Sequence, residues 1–136
     1  MLVLAGGSVK GAFQAGVIKA LAEKGFQPDV IYGISAGSLN AAFLVNALGQ
    51  QHVSGQAISF QQAADDLWDF WETRITRPDC LSKPLSIFEL GWTALTKKFR
   101  GLVSSDPLRA LIQEVLSLRN LQASPVGLHV GAVNIM

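Results

Sequence analysis

Cys80 is the only cysteine, so the chain cannot close an internal disulfide and has no thiolate cluster of the kind that holds a structural zinc. A reducing, cytoplasmic setting is compatible with that. Histidine is nearly as scarce, with only His52 and His129, and the scattered Asp and Glu residues lack ligand spacing, so neither a metal nor a cofactor is expected. A net charge of +1, with basic residues dispersed along the chain, gives no electrostatic basis for binding nucleic acid. No apolar run approaches the roughly 20 residues needed to cross a bilayer. Met1 to Ala5 is apolar, but it has no basic leader and meets glycines at once, so it reads as a buried first strand rather than a signal peptide. What remains is 136 residues, 49% of them hydrophobic, enough for one compact domain or part of one and too few for two.

The apolar residues fall into alternating patterns. Leu2 to Ala5 predicts a short strand, followed by a helix from about Lys10 to Lys24 with Phe13, Val17, Ala20 and Leu21 on one face and Gly25 as its stop. Asp29 to Ile34 predicts a second strand, with Val30, Ile31 and Tyr32 suited to a buried pleat, and a second helix runs from about Ala36 to Leu48. Gln50 to Gln62 reads as polar loop leading into an amphipathic cover helix marked by Phe60, Ala64, Leu67, Trp68 and Trp71. Residues 50–104 as a whole read as a helical cover or lid region. Within it, Phe88, Leu90, Trp92, Leu95 and Phe99 are interleaved with Lys97, Lys98 and Arg100, which fits either core packing or a lipid-facing lid in peripheral contact with a membrane. Asp106-Pro107 predicts a capped helix start with Leu108, Leu111, Ile112, Val115 and Leu116 buried, and Val126 to Ile135 a last strand. Strand alternating with helix is the pattern of an α/β domain with a parallel sheet, here of about three strands and unfinished at its C-terminal side.

Two glycine-rich junctions carry the chemistry. Gly33-Ile34-Ser35-Ala36-Gly37 lies between a predicted strand and a predicted helix, where glycines on both sides of a serine let the chain bend and leave the hydroxyl exposed. Ser35 is therefore a candidate nucleophile for acyl transfer, and the Ala36 N–H, at a helix start, a candidate oxyanion donor. Gly6-Gly7-Ser8-Val9-Lys10-Gly11 follows the first strand, and its uncovered main-chain N–H groups would reach the same sheet edge if the two strands are neighbours. Lys10, at the head of the first helix, either holds the loop, adds positive potential there or is a solvated surface lysine. The loop fits neither nucleotide-binding template, since Gly11 is followed by Ala12 rather than the Lys-Ser/Thr of a P-loop.

Leu4 to Val17 and Gly33 to Ala41 resemble the two N-terminal signatures of the patatin-like phospholipases, and Ser104 to Arg109 and Gly131 to Asn134 are similar to later stretches of the same domain. The resemblance implies a three-layer α/β/α fold with a mainly parallel sheet. It further implies a lipid acyl hydrolase with a Ser-Asp dyad, in which Ser35 is the nucleophile, residues 6–11 supply the oxyanion hole, and the substrate is a lipid or other ester. Ser8 stands where the family has its third glycine. The family's aspartate lies in an Asp-Gly motif, and no Asp-Gly dipeptide occurs in this sequence. Residues 1–136 thus read as the N-terminal portion of a single catalytic domain, with the aspartate further along. Two other readings stay open: a histidine-dependent hydrolase or acyltransferase using His129 or His52, and an incomplete fragment acting as a binding module.

Overall fold

A computed structural model describes residues 1–56, 58–75, 83–84, 103–104 and 106–132. Strand β1 (Leu2–Leu4) leads through a 3-10 turn at Ser8–Lys10 into helix α1 (Gly11–Glu23); β2 (Val30–Ile34) leads into α2 (Ala36–Ser54) and then α3 (Phe60–Arg74). Two-residue strands β3 (Lys83–Pro84) and β4 (Val103–Ser104) form a small antiparallel ladder, followed by α4 (Asp106–Val115), α5 (Leu118–Ala123) and β5 (Gly127–Gly131).

β1, β2 and β5 form one parallel sheet in that order, with Leu4 opposite Gly33 and Ile34 opposite Gly131 at its C-terminal edge. The expected three-stranded parallel α/β arrangement is thus present, consistent with the patatin-like α/β/α fold. β1 and β2 are neighbours, as the oxyanion reading required.

Helix α2 is apolar on nearly every side because it is enclosed on nearly every side. It lies across all three strands and packs on α1, α3 and α5, burying Leu39, Ala41, Leu44, Val45, Ala47 and Leu48. Gly49 does not end it: a side chain there would overlap the Asn120 carbonyl, so glycine is what lets α5 close onto α2. The helix runs to Ser54, six residues beyond its expected end, and stops at Gly55 in the left-handed region, φ +77°. His52 accordingly lies on a helix rather than in a polar loop.

Helix α1 reverses its expected orientation. Phe13, Val17 and Leu21 are exposed, Phe13 by 77%, and the buried face is Gly11, Ala15, Ile18 and Ala22. The reason is steric: α1 lies against Trp68 and Trp71 of α3, and a Cβ at Gly11 would overlap the Trp71 ring, so the small-residue side turns inward. Helix α3 is less a cover than a core element, with Ala63, Ala64 and Leu67 wholly buried. Its start is fixed by Ser59, whose hydroxyl accepts from the Gln62 N–H at 3.1 Å. Ile112 of α4 and Tyr32 of β2, both expected inside, are exposed, whereas Leu108, Leu111 and Val115 do pack against the core. The last strand is seen at Gly127–Gly131, while residues 133–135 of its expected range and the Phe88 to Phe99 stripe fall outside the described residues.

The sheet has two unlike faces. Leu4 and Ile31 are buried, and Gly33 faces the first turn of α2. On the other side Val3, Tyr32 and Ile34 are exposed, and with Met1 and Gly131 they line an apolar groove of about 370 Å³.

Candidate active site

Ser35 is the single residue between β2 and α2, and its backbone is left-handed, φ +54°. A residue with a Cβ adopts that conformation at a cost of about 1 kcal/mol or more, so its surroundings must hold it there. They do so through contacts that admit only glycine. A Cβ at Gly33 would lie 2.5 Å from the Gly37 carbonyl, and one at Gly37 would overlap the Leu4 carbonyl, so neither could be accommodated without moving backbone. The strand thus enters the helix through a bend whose outermost point is an exposed serine. The Ser35 carbonyl accepts from the Ser38 N–H at 2.9 Å and the Leu39 N–H at 3.4 Å and so begins α2. The N–H groups of Ala36 and Gly37, in the first turn, have no acceptor within the helix.

The glycine loop comes to the same edge. A Cβ built on Gly6 would be 3.2 Å from Ser35 Cβ and 3.9 Å from its hydroxyl, so Gly6 faces the serine directly. The loop's own hydrogen bonds sort its amides. The Lys10 N–H donates to the Gly7 carbonyl at 3.0 Å, and the Gly11 N–H to the carbonyls of Ser8 and Val9. Two of the loop's expected donors are therefore turned into the loop, while Gly6, Gly7 and Ser8 are not used in the turn. Ser8 is left-handed as well, φ +50°, so a glycine would suit that position for conformational reasons. The Lys10 side chain folds back over Gly7, where a Cβ would lie 3.1 Å from Lys10 Cβ.

His129 does not approach the serine. Its ring stacks on Tyr32, centroids 4.5 Å apart and planes 13° from parallel, at a paired position two residues short of the sheet edge. Among the residues whose side chains are described, no carboxylate and no imidazole is hydrogen-bonded to the Ser35 hydroxyl. Among the described residues no group of three or more His, Cys, Asp or Glu is placed to hold a metal. No described helix is long and apolar enough to cross a membrane.

One feature of this site was not read from the sequence. Asn40, one turn into α2, is completely buried, and its amide spans three elements. Nδ2 donates to the Gly11 carbonyl at 3.0 Å and to Gln14 Oε1 at 3.1 Å, while Oδ1 accepts from Trp71 Nε1 at 2.7 Å. Gln14 in turn donates from Nε2 to the Ala5 carbonyl at 2.7 Å. The signal in the sequence was a lone amide inside the apolar stretch Leu39-Asn40-Ala41, since buried polar groups are kept where they are fully bonded.

A parallel α/β unit that displays a serine at a strained strand-to-helix elbow, with a glycine loop beside it, is the framework of a serine-elbow protein. The chain belongs to the patatin-like phospholipase family, whose model matches residues 2–127. It is similar to lysophospholipase nte1 of Aspergillus terreus, 39% identical over 69 residues, which make up 51% of this chain and 4% of the relative. It is likewise similar to lysophospholipase nte1 of Aspergillus niger, 41% identical over 69 residues, 51% of this chain and 4% of the relative. A patatin-like phospholipase domain-containing protein of Caenorhabditis elegans is 36% identical over 67 residues, 49% of this chain and 5% of that protein. The chain thus spans only a small fraction of the length of these relatives. No solved structure matches it.

Proposed function

We propose that the chain supplies the nucleophile and oxyanion-binding portion of a single patatin-like catalytic domain that hydrolyses lipid esters, in a cytoplasmic protein meeting its substrate at a membrane surface. The observation that carries this reading is Ser35, held left-handed between two glycines that cannot be replaced, with Gly6 facing its hydroxyl. Such a conformation is costly and persists where the surroundings enforce it, which is where chemistry is commonly found. Family membership and the lysophospholipase names of the relatives support the lipid ester as substrate class.

In this mechanism Ser35 Oγ attacks the ester carbonyl carbon as its proton passes to a general base. The carbonyl π electrons move onto oxygen, and that oxyanion is met by N–H groups of Gly6, Gly7 and Ala36 at the positive end of α2. Collapse expels the alcohol, which takes the proton back from the base, and leaves Ser35 acylated. Water, activated by the same base, then releases the fatty acid. The base is an aspartate, as the family resemblance implies. The His129 ring is stacked on Tyr32 at a paired strand position two residues short of the edge where Ser35 lies, and this supports a base other than that histidine.

The test is intact mass of the full-length protein after treatment with a fluorophosphonate, beside Ser35→Ala. A single adduct lost in the variant is expected. An adduct that persists in Ser35→Ala, or none at all in the native protein, would overturn the reading. Replacing His129 or His52 by alanine should leave esterase activity unchanged.

A further inference from the structure

The amide network beneath the glycine loop has a fixed polarity. An indole N–H can only donate, so the Asn40 atom facing Trp71 Nε1 must be its oxygen. Asn40 then presents its NH₂ to the Gly11 carbonyl and to Gln14, so the Gln14 atom it meets must also be oxygen. The remaining end of Gln14 is necessarily an NH₂, and it points at the Ala5 carbonyl. One donor-only group on α3 thereby sets the sense of every bond up to the loop.

That last bond acts on the peptide that joins Ala5 to Gly6. The peptide is planar and trans, so its C=O and N–H point in opposite directions. Holding the Ala5 oxygen against Gln14 turns the Gly6 N–H away from α1. Gly6 is the loop residue that faces Ser35, and its N–H belongs to the oxyanion donors proposed above. The Gly11 carbonyl at the other end of the loop is held directly by the same Asn40, so both ends of the loop are tied to the helix that follows the serine, the Ala5 end by way of Gln14.

We propose that Gln14 is a positioning residue for the oxyanion site, which aims the Gly6 N–H through the Ala5 carbonyl and is itself oriented by Asn40 and Trp71. This rests on the hydrolase reading, because it assigns Gln14 a role in that reaction. It does not touch substrate; its effect is on where a donor points. Transition-state stabilisation by such donors depends on aim, and complete removal of one typically costs about 100-fold or more in rate. Loss of the Gln14 bond leaves the donor present but free to tilt, for which a reduction of about tenfold is expected.

The experiment is the kinetics of Ser35 phosphonylation in the full-length protein, with the maximal rate and the half-saturating probe concentration determined separately. Two variants distinguish aiming from support. Gln14→Met keeps the length of the side chain and removes both hydrogen bonds. Gln14→Glu keeps an oxygen for Asn40 but sets a carboxylate against the Ala5 carbonyl, where repulsion re-aims the peptide. The expected result is a maximal rate about tenfold lower in Gln14→Met, with half-saturation within about twofold of the native value, and a still lower rate in Gln14→Glu. If Gln14 merely supported Asn40, the glutamate would be the milder change. A native rate in Gln14→Met, or faster labelling in Gln14→Glu than in Gln14→Met, would overturn the proposal while leaving the hydrolase reading intact. Absence of a Ser35-dependent adduct in the native protein would overturn both.

Discussion

Gly6 and Ser35 meet across the C-terminal edge of the sheet, 3.2 Å separating Ser35 Cβ from the point where a Gly6 side chain would begin. The contact joins the first strand's exit loop to the second strand's exit bend. Because Gly6 is not in the left-handed region, Gly6→Ala has no backbone penalty, and the neighbouring serine need yield only a few tenths of an ångström. Stability should therefore change by less than about 1 kcal/mol, while fluorophosphonate labelling slows by about tenfold because the displaced group is the nucleophile itself. Labelling at the native rate would show that Gly6 does not border the reacting atoms.

Ser35→Gly should separate strain from chemistry. At φ +54° a Cβ is unfavourable, so Ser35→Gly is expected to be more stable than Ser35→Ala by about 1 kcal/mol, although neither can be labelled. Urea denaturation of the two variants measures the difference. Equal midpoints would mean that the bend relaxes when the serine is removed.

Two classes of glycine should be destabilised by alanine to different degrees, one by close contact and one by conformation. Gly37 has ordinary φ but lies on the Leu4 carbonyl, so Gly37→Ala forces backbone from backbone, and a loss of about 3 kcal/mol is expected. Gly25, which ends α1 at φ +80° with its N–H on the Ala22 carbonyl, has open space around it, and Gly25→Ala should cost only the left-handed penalty of about 1 kcal/mol. Thermal unfolding of both variants checks the ranking, and a milder Gly37→Ala would contradict the close approach.

The fold was legible where local pattern and global packing agree. Strand, helix, strand, helix over residues 2–48 follows from periodicity and glycine stops, and the parallel pairing of β1 with β2 is what that alternation demands. The orientation of α1 was not legible, because Phe13, Val17 and Leu21 form a better apolar stripe than the Gly11, Ala15, Ile18, Ala22 face that is buried. What decides it is the bulk of Trp68 and Trp71 on α3, more than fifty residues later in the chain. The far end of α2 was not legible for the same reason: the polar run from Gln50 reads as loop, while in space the helix continues past Gly49, whose bare Cα lies on the Asn120 carbonyl. Of the candidate site, both glycine junctions could be found from their residues, but which loop amides stay free depends on the turn at Ser8–Lys10. The Gln14–Asn40–Trp71 relay links residues that no short motif joins.

Acid and base should act on one ion pair joining α1 to α3. Lys19 Nζ donates to Asp65 Oδ1 at 2.6 Å, and that hydrogen bond holds the Asp65 carboxyl below its ordinary value of 3.8 and the Lys19 ammonium above 10.5. The depressed carboxyl contributes stability that is fully present above 3.8 and disappears as pH falls through its lower folded value. The raised ammonium contributes stability present below 10.5 and lost as pH rises through its higher one. Both side chains are about a third exposed, so the effect is small and weakened by salt. Melting temperatures of the native protein and Lys19→Met should differ by a constant amount through neutral pH and converge only at the two extremes. A gap that closes near pH 7 would contradict the assignment.

The Trp71 indole gives the loop an optical signature. It is buried, its N–H is bonded to Asn40, and its ring edge rests on Gly11, so its emission should be blue-shifted and poorly quenched by iodide for as long as the loop is seated. Any event that lifts the loop, whether ligand, substitution or early unfolding, exposes that ring to water and becomes visible as a red shift without an added label.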